Sequence, residues 1–289
     1  MQTSVGIIGG SGLYDMPGLV GRQNVTVETP YGAPSDELVT GTIGGVPVAF
    51  LPRHGRGHRI SPSELPSQAN VWAMKQLGVT HLLSISAVGS LRQHLAPRDV
   101  VIPDQLIDRT KGVRPPSFFD RGLVVHISMA DPYCPELCQA CFQAAESAGA
   151  HAHNGGTLVV MEGPQFSTRA ESHFYRQIGG DLIGMTALPE AKLAREAELC
   201  YTTVAMVTDY DCWHEEEEVV SSSMVVENLR ANVDLAKALV QRVVPAIAQL
   251  PHTCGCQHAL EHAIITAREA IPPERARQLD LLVGKYLRS

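Results

Sequence analysis

The chain has 289 residues, 44% of them hydrophobic and 18% charged, with a formal net charge of −7. This balance excludes a disordered chain, and without a run of ~18 apolar residues no membrane-spanning helix is expected. The acidic excess, densest at Glu215–Glu218, disfavours nucleic-acid and anionic-membrane partners, which call for basic patches.

The start Met1-Gln2-Thr3-Ser4 has neither the basic residues nor the small-residue cleavage site of a secretory signal, so a cytoplasmic protein is expected. In that compartment the seven cysteines are expected to be mainly reduced thiols.

Val5-Gly6-Ile7-Ile8 is a short apolar strand that runs straight into Gly9-Gly10-Ser11-Gly12. A glycine turn at a strand exit brings backbone amides close to an anion. The third glycine of a dinucleotide fingerprint would fall on Asp15, so a phosphate or ribose cradle using the Ser11 hydroxyl fits better than a nicotinamide site. Residues 24–28 alternate like a strand. Gly44-Gly45 suits a tight hairpin between strands 37–43 and 46–51. The second of these opens into Arg53-His54-Gly55-Arg56-Gly57-His58. There an arginine fork and a histidine on a glycine-loosened loop fit an oxyanion clamp.

A helix is predicted over 66–77 and a strand over 80–85, leading into the small residues Ser86-Ala87-Val88-Gly89-Ser90. Asp99–Pro103 reads as a short strand, and Arg109–Arg121 as a long loop rich in Pro and Gly, a kind of loop that is often functional or meets a partner subunit. Cys134, Cys138 and Cys141 have the CxxxCxxC spacing of a radical-enzyme iron–sulfur loop. They sit mid-chain at the start of a predicted helix over 135–148, so three thiols packed along one helix face are expected.

A strand over 156–161 releases Glu162-Gly163-Pro164-Gln165-Phe166-Ser167, and helix 168–178 follows. Strand 181–186 ends at Met185-Thr186, before helix 189–197. Cys200–Val207 is a β-branched apolar run that reads as a buried parallel strand. Beyond it, Thr208-Asp209-Tyr210-Asp211 places two carboxylates where an open α/β sheet binds ligands. A long amphipathic helix is predicted over 221–250, with Pro245 as a point of breakage. After it come a linker, in which Cys254-Gly255-Cys256 fits a strained disulfide or, as expected in a cytosol, a reduced pair, and two short helices separated by Pro272-Pro273. The alternation of strands and helices predicts a three-layer α/β fold with a mostly parallel sheet.

Six of these segments, Gly9–Leu13, Arg53–Gly55, Ser86–Leu91, Glu162–Ser167, Met185-Thr186 and Thr208–Trp213, stand in order and at compatible spacing over about residues 5–245. Together they resemble the 5′-methylthioadenosine phosphorylases, in the trimeric branch of the purine nucleoside phosphorylase family. The resemblance implies a doubly wound mixed sheet with a distorted barrel, a phosphorylase domain over 1–250, and a helical tail over 251–289 packed on or extending it. It implies reversible phosphorolysis of an N-glycosidic bond with inversion, with inorganic phosphate as co-substrate and with neither a cofactor nor a metal. Phosphate would be held by Ser11, Arg53, His54, Ser86, the Ala87 backbone and Thr186. Met185 and Phe166 would lie along sugar and base. Asp209 and Asp211 would take the purine, Asp209 as the donor to N7. Asparagine at that place would suit 6-oxopurines, so two aspartates imply adenine. Val225, with Ser222 a poorer match, would line the 5′-methylthio pocket. His126 would reach in from a neighbouring subunit of a homotrimer. Two alternatives remain at this stage: a phosphorylase of 6-oxopurine nucleosides or methylthioinosine, and a nucleoside-binding sensor.

Overall fold

A computed structural model describes residues 4–10, 16–214 and 222–288, with the backbone alone for helix residues 222–227 and 229–231. The strands are β1 (Val5–Gly9), β2 (Val20–Val25), β3 (Leu38–Ile43), β4 (Val46–Pro52), β5 (His81–Ser90), β6 (Val100–Ile102), β7 (Gln105–Arg109), β8 (Ala152–Asn154), β9 (Thr157–Met161), β10 (Leu182–Gly184) and β11 (Cys200–Asp209). The helices are α1 (Ser67–Gln76), α2 (Pro135–Ser147), α3 (Arg169–Gln177), α4 (Ala187–Glu196), α5 (Ser222–Ile247), α6 (Pro273–Gln278) and α7 (Asp280–Leu287). The mixed α/β class read from the sequence is the architecture seen. No helix among the described residues is long and apolar enough to cross a membrane.

All eleven strands join one sheet, which divides at β5. Its first half runs parallel to β1, Val5 to Ile8 facing His81 to Ser84. Its last residues, Gly89 and Ser90, run antiparallel to β10. Along nearly its whole length β5 also pairs in parallel with β11. One limb therefore continues through β10, β9 and β7, and the other through β11, β6 and β8. Every residue of β11 is buried. The cause is packing on both sides, with α2 and α5 lying against each other and against β11, and α4 touching it as well. That explains why the strand reads as an unbroken apolar run.

The hairpin between β3 and β4 forms as expected. Gly44 and Gly45 both have positive φ, 57° and 80°, as a type I′ turn demands. Several expectations shift. The first edge strand is β2, four residues ahead of the alternating stretch 24–28. It is solvent-exposed, so its pattern carries no apolar signal. β7 and β8 escape the sequence reading because they are short and largely exposed or half-buried. β5 runs on through Ser86–Ser90, since β11 and then β10 continue to supply partners beyond the point where β1 leaves. In α4, Leu188 departs from helical geometry, and regular helix begins at Pro189 as predicted. α5 passes through Pro245 to Ile247. The two tail helices both follow Pro272-Pro273, and short 3₁₀ turns stand before it.

The tail belongs to the same core, with Leu260, Ile271, Leu279, Leu282 and Val283 buried in it. Polar contacts fasten it down. The buried Arg275 donates to the Phe118 carbonyl at 2.6 Å and to Asp120, while Lys285 pairs with Glu198 at 2.7 Å.

His81 opens β5 at 1% exposure, its Nδ1 2.9 Å from the Thr80 hydroxyl. Burial pushes its pKa down to about 4. Folding thus lowers the pKa, so between pH 6.5 and 4 the unfolded chain holds a proton that the folded chain lacks, and stability is lost as pH falls through that window. We expect His81→Asn to flatten the pH dependence of unfolding free energy there by about 1.4 kcal/mol per pH unit. Urea titrations from pH 7 to 4 measure it; an unchanged slope would show that His81 is protonated in the folded chain.

Candidate active site

Where β1 separates from β5, a cavity of about 270 Å³ opens at the carboxyl ends of the central strands, near the small end of the range for ligand pockets. Arg53, His54, Ser86, Ala87, Phe166, Met185, Thr186, Asp209 and Asp211 all line it. The sequence separates these residues by up to 158 positions, and the sheet gathers them into one chamber. Ser11 lies outside the described residues. Val225 and Ser222 fall on the first turn of α5, with side chains outside the described residues. His126 is exposed and does not belong to the lining within its own chain.

Arg53 departs most from expectation. Instead of a fork on an open loop, it is a side chain at 3% exposure directly after β4. Nη2 donates to the Ile8 carbonyl at 3.2 Å and to Ser84 Oγ at 2.7 Å, and Nη1 donates to the Ile85 carbonyl at 3.1 Å. The guanidinium thereby spans the gap between the parting ends of β1 and β5, standing in for ladder bonds that no strand supplies. Nε donates to Glu190 Oε1 of α4 at 3.0 Å. Four of the five N–H groups of an arginine are thus spent on the protein, and the second on Nη1 has no partner among the described residues. Burial pushes the Glu190 carboxyl up, and Arg53 pulls against that shift.

His54 Nδ1 lies 2.8 Å from the Ile60 carbonyl, so that nitrogen carries the proton and Nε2 is left as an acceptor. Burial first, and then the Arg53 charge, push the His54 pKa down to about 4. The ring stacks on His58 with centroids 4.3 Å apart. His54 is therefore a neutral acceptor near pH 7, a correction to its expected role as a donor.

Ser86 Oγ and Thr186 Oγ1 face each other at 3.1 Å, which brings together hydroxyls from β5 and the end of β10. Buried Arg114 locks this wall, donating to Glu162 Oε1 at 2.9 Å and to the carbonyls of Met185 and Leu188 at 2.5 and 2.8 Å. Burial pushes the Glu162 carboxyl up, but Ser63, the Lys111 amide and Arg114 together hold it below the usual range. Gly163 has φ 68°, and a Cβ there would lie 2.5 Å from Met185 Sδ, so only glycine lets the thioether sit where it does. Phe166 is 45% exposed at the rim.

Asp209 ends β11 immediately after a bulge. Val207 faces Val88 and Asp209 faces Gly89, so Thr208 is the extra residue. Bulges re-aim side chains, and this one turns the carboxylate into the chamber. Asp209 Oδ2 accepts from Thr208 Oγ1 and Oδ1 from the Asp211 amide, each at 2.8 Å. A Cβ on Gly89 would come within 3.0 Å of Oδ1. Asp211 has φ 52°, burial pushes its carboxyl up, and its Oδ2 is buried with no hydrogen-bond partner among the described residues. From α5, Asn228 donates to the carbonyl of Thr208, the bulged residue, at 2.6 Å, and Asn232 adds a bond of 3.3 Å to the Val207 carbonyl, which also accepts from the Arg98 amide at 2.8 Å.

The chamber therefore unites a pair of carboxylates, apolar and aromatic walls, and a polar corner of two hydroxyls, a histidine and an arginine. Residues 4–245 match the sequence model of the phosphorylase superfamily. The chain belongs to the phosphorylase superfamily. Its similarity to single members extends over nearly the whole length. The S-methyl-5′-thioadenosine phosphorylase of Geobacter sulfurreducens is 52% identical over 287 residues, covering 99% of this chain and 100% of the relative. The crystal structure of a methylthioadenosine phosphorylase from an antarctic soil metagenomic library superposes with a TM-score of 0.93 at 50% identity, over 97% of this chain and 99% of that one. The methylthioadenosine phosphorylase of Schistosoma mansoni in complex with adenine gives 0.86 at 39% identity, over 91% and 99%.

In this member of the phosphorylase superfamily, Glu190, Arg114, Asn228 and Asn232 are positioning residues that sequence reasoning missed. Glu190 carried one signal, a lone carboxylate within the otherwise small and apolar run Ala187-Leu188-Pro189-Glu190-Ala191. Removing one partner of a buried ion pair costs about 3–5 kcal/mol. We expect Glu190→Ala to lower unfolding free energy by that amount and Glu190→Gln, which keeps an acceptor for Nε, by less. Equal losses in urea unfolding would show that the hydrogen bond to Nε contributes nothing.

Proposed function

We infer that this chain catalyses the phosphorolysis of 5′-methylthioadenosine to adenine and 5-methylthioribose 1-phosphate. The observation that carries the reading is the carboxylate pair, Asp209 and Asp211, aimed by the bulge at Thr208 into the chamber that also holds the Ser86–Thr186 hydroxyl pair. The names of the relatives and the adenine bound to the Schistosoma mansoni enzyme agree with it.

In this reading inorganic phosphate enters as co-substrate at the polar corner. Ser86, Thr186, the Ala87 backbone, Ser11 and the remaining Nη1–H of Arg53 donate to it. His54 accepts, through Nε2, from a protonated phosphate oxygen. A phosphate oxygen bonds to C1′ as the bond from C1′ to N9 breaks, and the bonding pair passes into the purine. Holding two reactants in line is worth several kcal/mol of barrier. Asp209 in its acid form gives its proton to N7, relieving the charge, and Asp211 accepts from the 6-amino group. One observation favours the reverse assignment: burial pushes the Asp211 carboxyl up against the pull of Ser172 and Ser167.

We take the active form to be a closed homotrimer in the cytoplasm. Support comes from the strip around His126, where Val124 and Ile265 are exposed at 48% and 59% beside the bridge between Val125 and Ile264. His126 and Val225 then meet the 5′-methylthio group from two subunits.

Loss of general acid catalysis costs about 10²–10⁴-fold. We expect Asp209→Asn to lower kcat/KM for 5′-methylthioadenosine by that factor and to raise relative activity on inosine, without changing thermal unfolding or assembly. A larger loss in Asp211→Asn than in Asp209→Asn would assign the proton to Asp211. Unchanged adenine release in both variants would remove the pair from the reaction.

A further inference from the structure

Cys134 does not share a helix face with Cys138 and Cys141 as the spacing had implied. It is the N-cap of α2, and its amide bonds the Tyr201 carbonyl at 2.9 Å, which sets it beside Cys200, the first residue of β11. The linker after α5 brings Cys254 and Cys256 to the same spot. The four Sγ atoms lie within 4.8 Å of one another, and those of Cys200 and Cys254 are 3.4 Å apart. Cys138 turns instead to Thr202 Oγ1, at 3.2 Å.

We propose that Cys134, Cys200, Cys254 and Cys256 bind a single zinc ion as a closed tetrathiolate site. Zinc–sulfur bonds of about 2.3 Å at tetrahedral angles place the sulfurs about 3.8 Å apart, within the spread found here, whereas an iron–sulfur cluster needs a wider mouth. The donor set is all sulfur, the set that selects zinc among common divalent ions. Three of the thiols are buried and the fourth half-buried, as a structural site requires. Arg195 Nη1 donates to Cys256 Sγ at 3.5 Å, so a cation stands ready to offset the negative charge that four thiolates leave on zinc. Cys200 and Asp209 are the two ends of β11, about 30 Å apart at about 3.3 Å per residue. The ion is therefore a clasp joining the linker and tail to the sheet, remote from the chemistry.

The test uses the full chain purified without chelators or an affinity tag that binds metal. Metal analysis is expected to find one zinc per chain, and alkylation under native conditions to spare the four cysteines until a chelator is added. Cobalt loaded in place of zinc is expected to show sulfur-to-cobalt charge-transfer bands. Cys254→Ser and Cys256→Ser are expected to lose the zinc and to melt several degrees lower, while Cys138→Ser, which alters a buried thiol outside the group, keeps it. A chain without zinc overturns the proposal, whether its mass is lighter by the hydrogens of paired disulfides, it holds iron instead, or all four thiols alkylate freely.

Discussion

The buried Arg53 guanidinium is the constraint on which the rest of the site depends. A chamber inside a sheet requires two strands to part, and parting leaves backbone carbonyls and a hydroxyl without partners. Arg53 answers with bonds to Ile8, Ser84 and Ile85, and Glu190 answers the charge that this brings into the core. Neither group is tolerable alone at such burial. Together they hold β1, β5 and α4 at the separation that leaves room for a ligand, with Arg53 in the chamber wall.

The same logic recurs on the opposite wall. Thr208 bulges out of register to aim Asp209, and the Thr208 carbonyl is taken up by Asn228 of α5. Arg114 does the corresponding work for the carbonyls of Met185 and Leu188. Arg53 and Met185 are thus held by buried polar groups, Glu190 and Arg114, that touch no substrate in the proposed reaction. Side chains fixed in this way suit a reaction governed by placing two reactants in line.

Much of this was legible in the chain itself. Paired carboxylates at the end of an apolar β-branched run, small residues at Ser86–Ser90 and two glycines at 44 and 45 each carry a local physical signal; the glycines form the hairpin as read, the carboxylates and small residues line the chamber, and β5 extends through Ser86–Ser90. The exposed strand β2 had no such signal, and the tail helices were displaced because 257–271 buries Leu260, Ala263 and Ile271 without regular helix. The ties made by Arg53, Glu190 and Arg114 join residues up to 137 positions apart, and no local pattern announces them. The thiol group failed in the same way, since the spacing of Cys134, Cys138 and Cys141 pointed to one helix face while Cys134 caps the helix and joins three cysteines from two other segments. The role of His54 changed for a smaller reason, the Ile60 carbonyl six residues away that fixes its tautomer.

β11 therefore has two ends of different character, thiols at its start and carboxylates at its finish, with a buried apolar strand between. The central claim concerns the finish. Its most direct measurement is the release of free adenine from 5′-methylthioadenosine, with and without inorganic phosphate, beside the release of hypoxanthine from inosine. Phosphate-dependent adenine release that outpaces hypoxanthine release is the predicted result. Binding without release of adenine, or a preference for inosine, would contradict it.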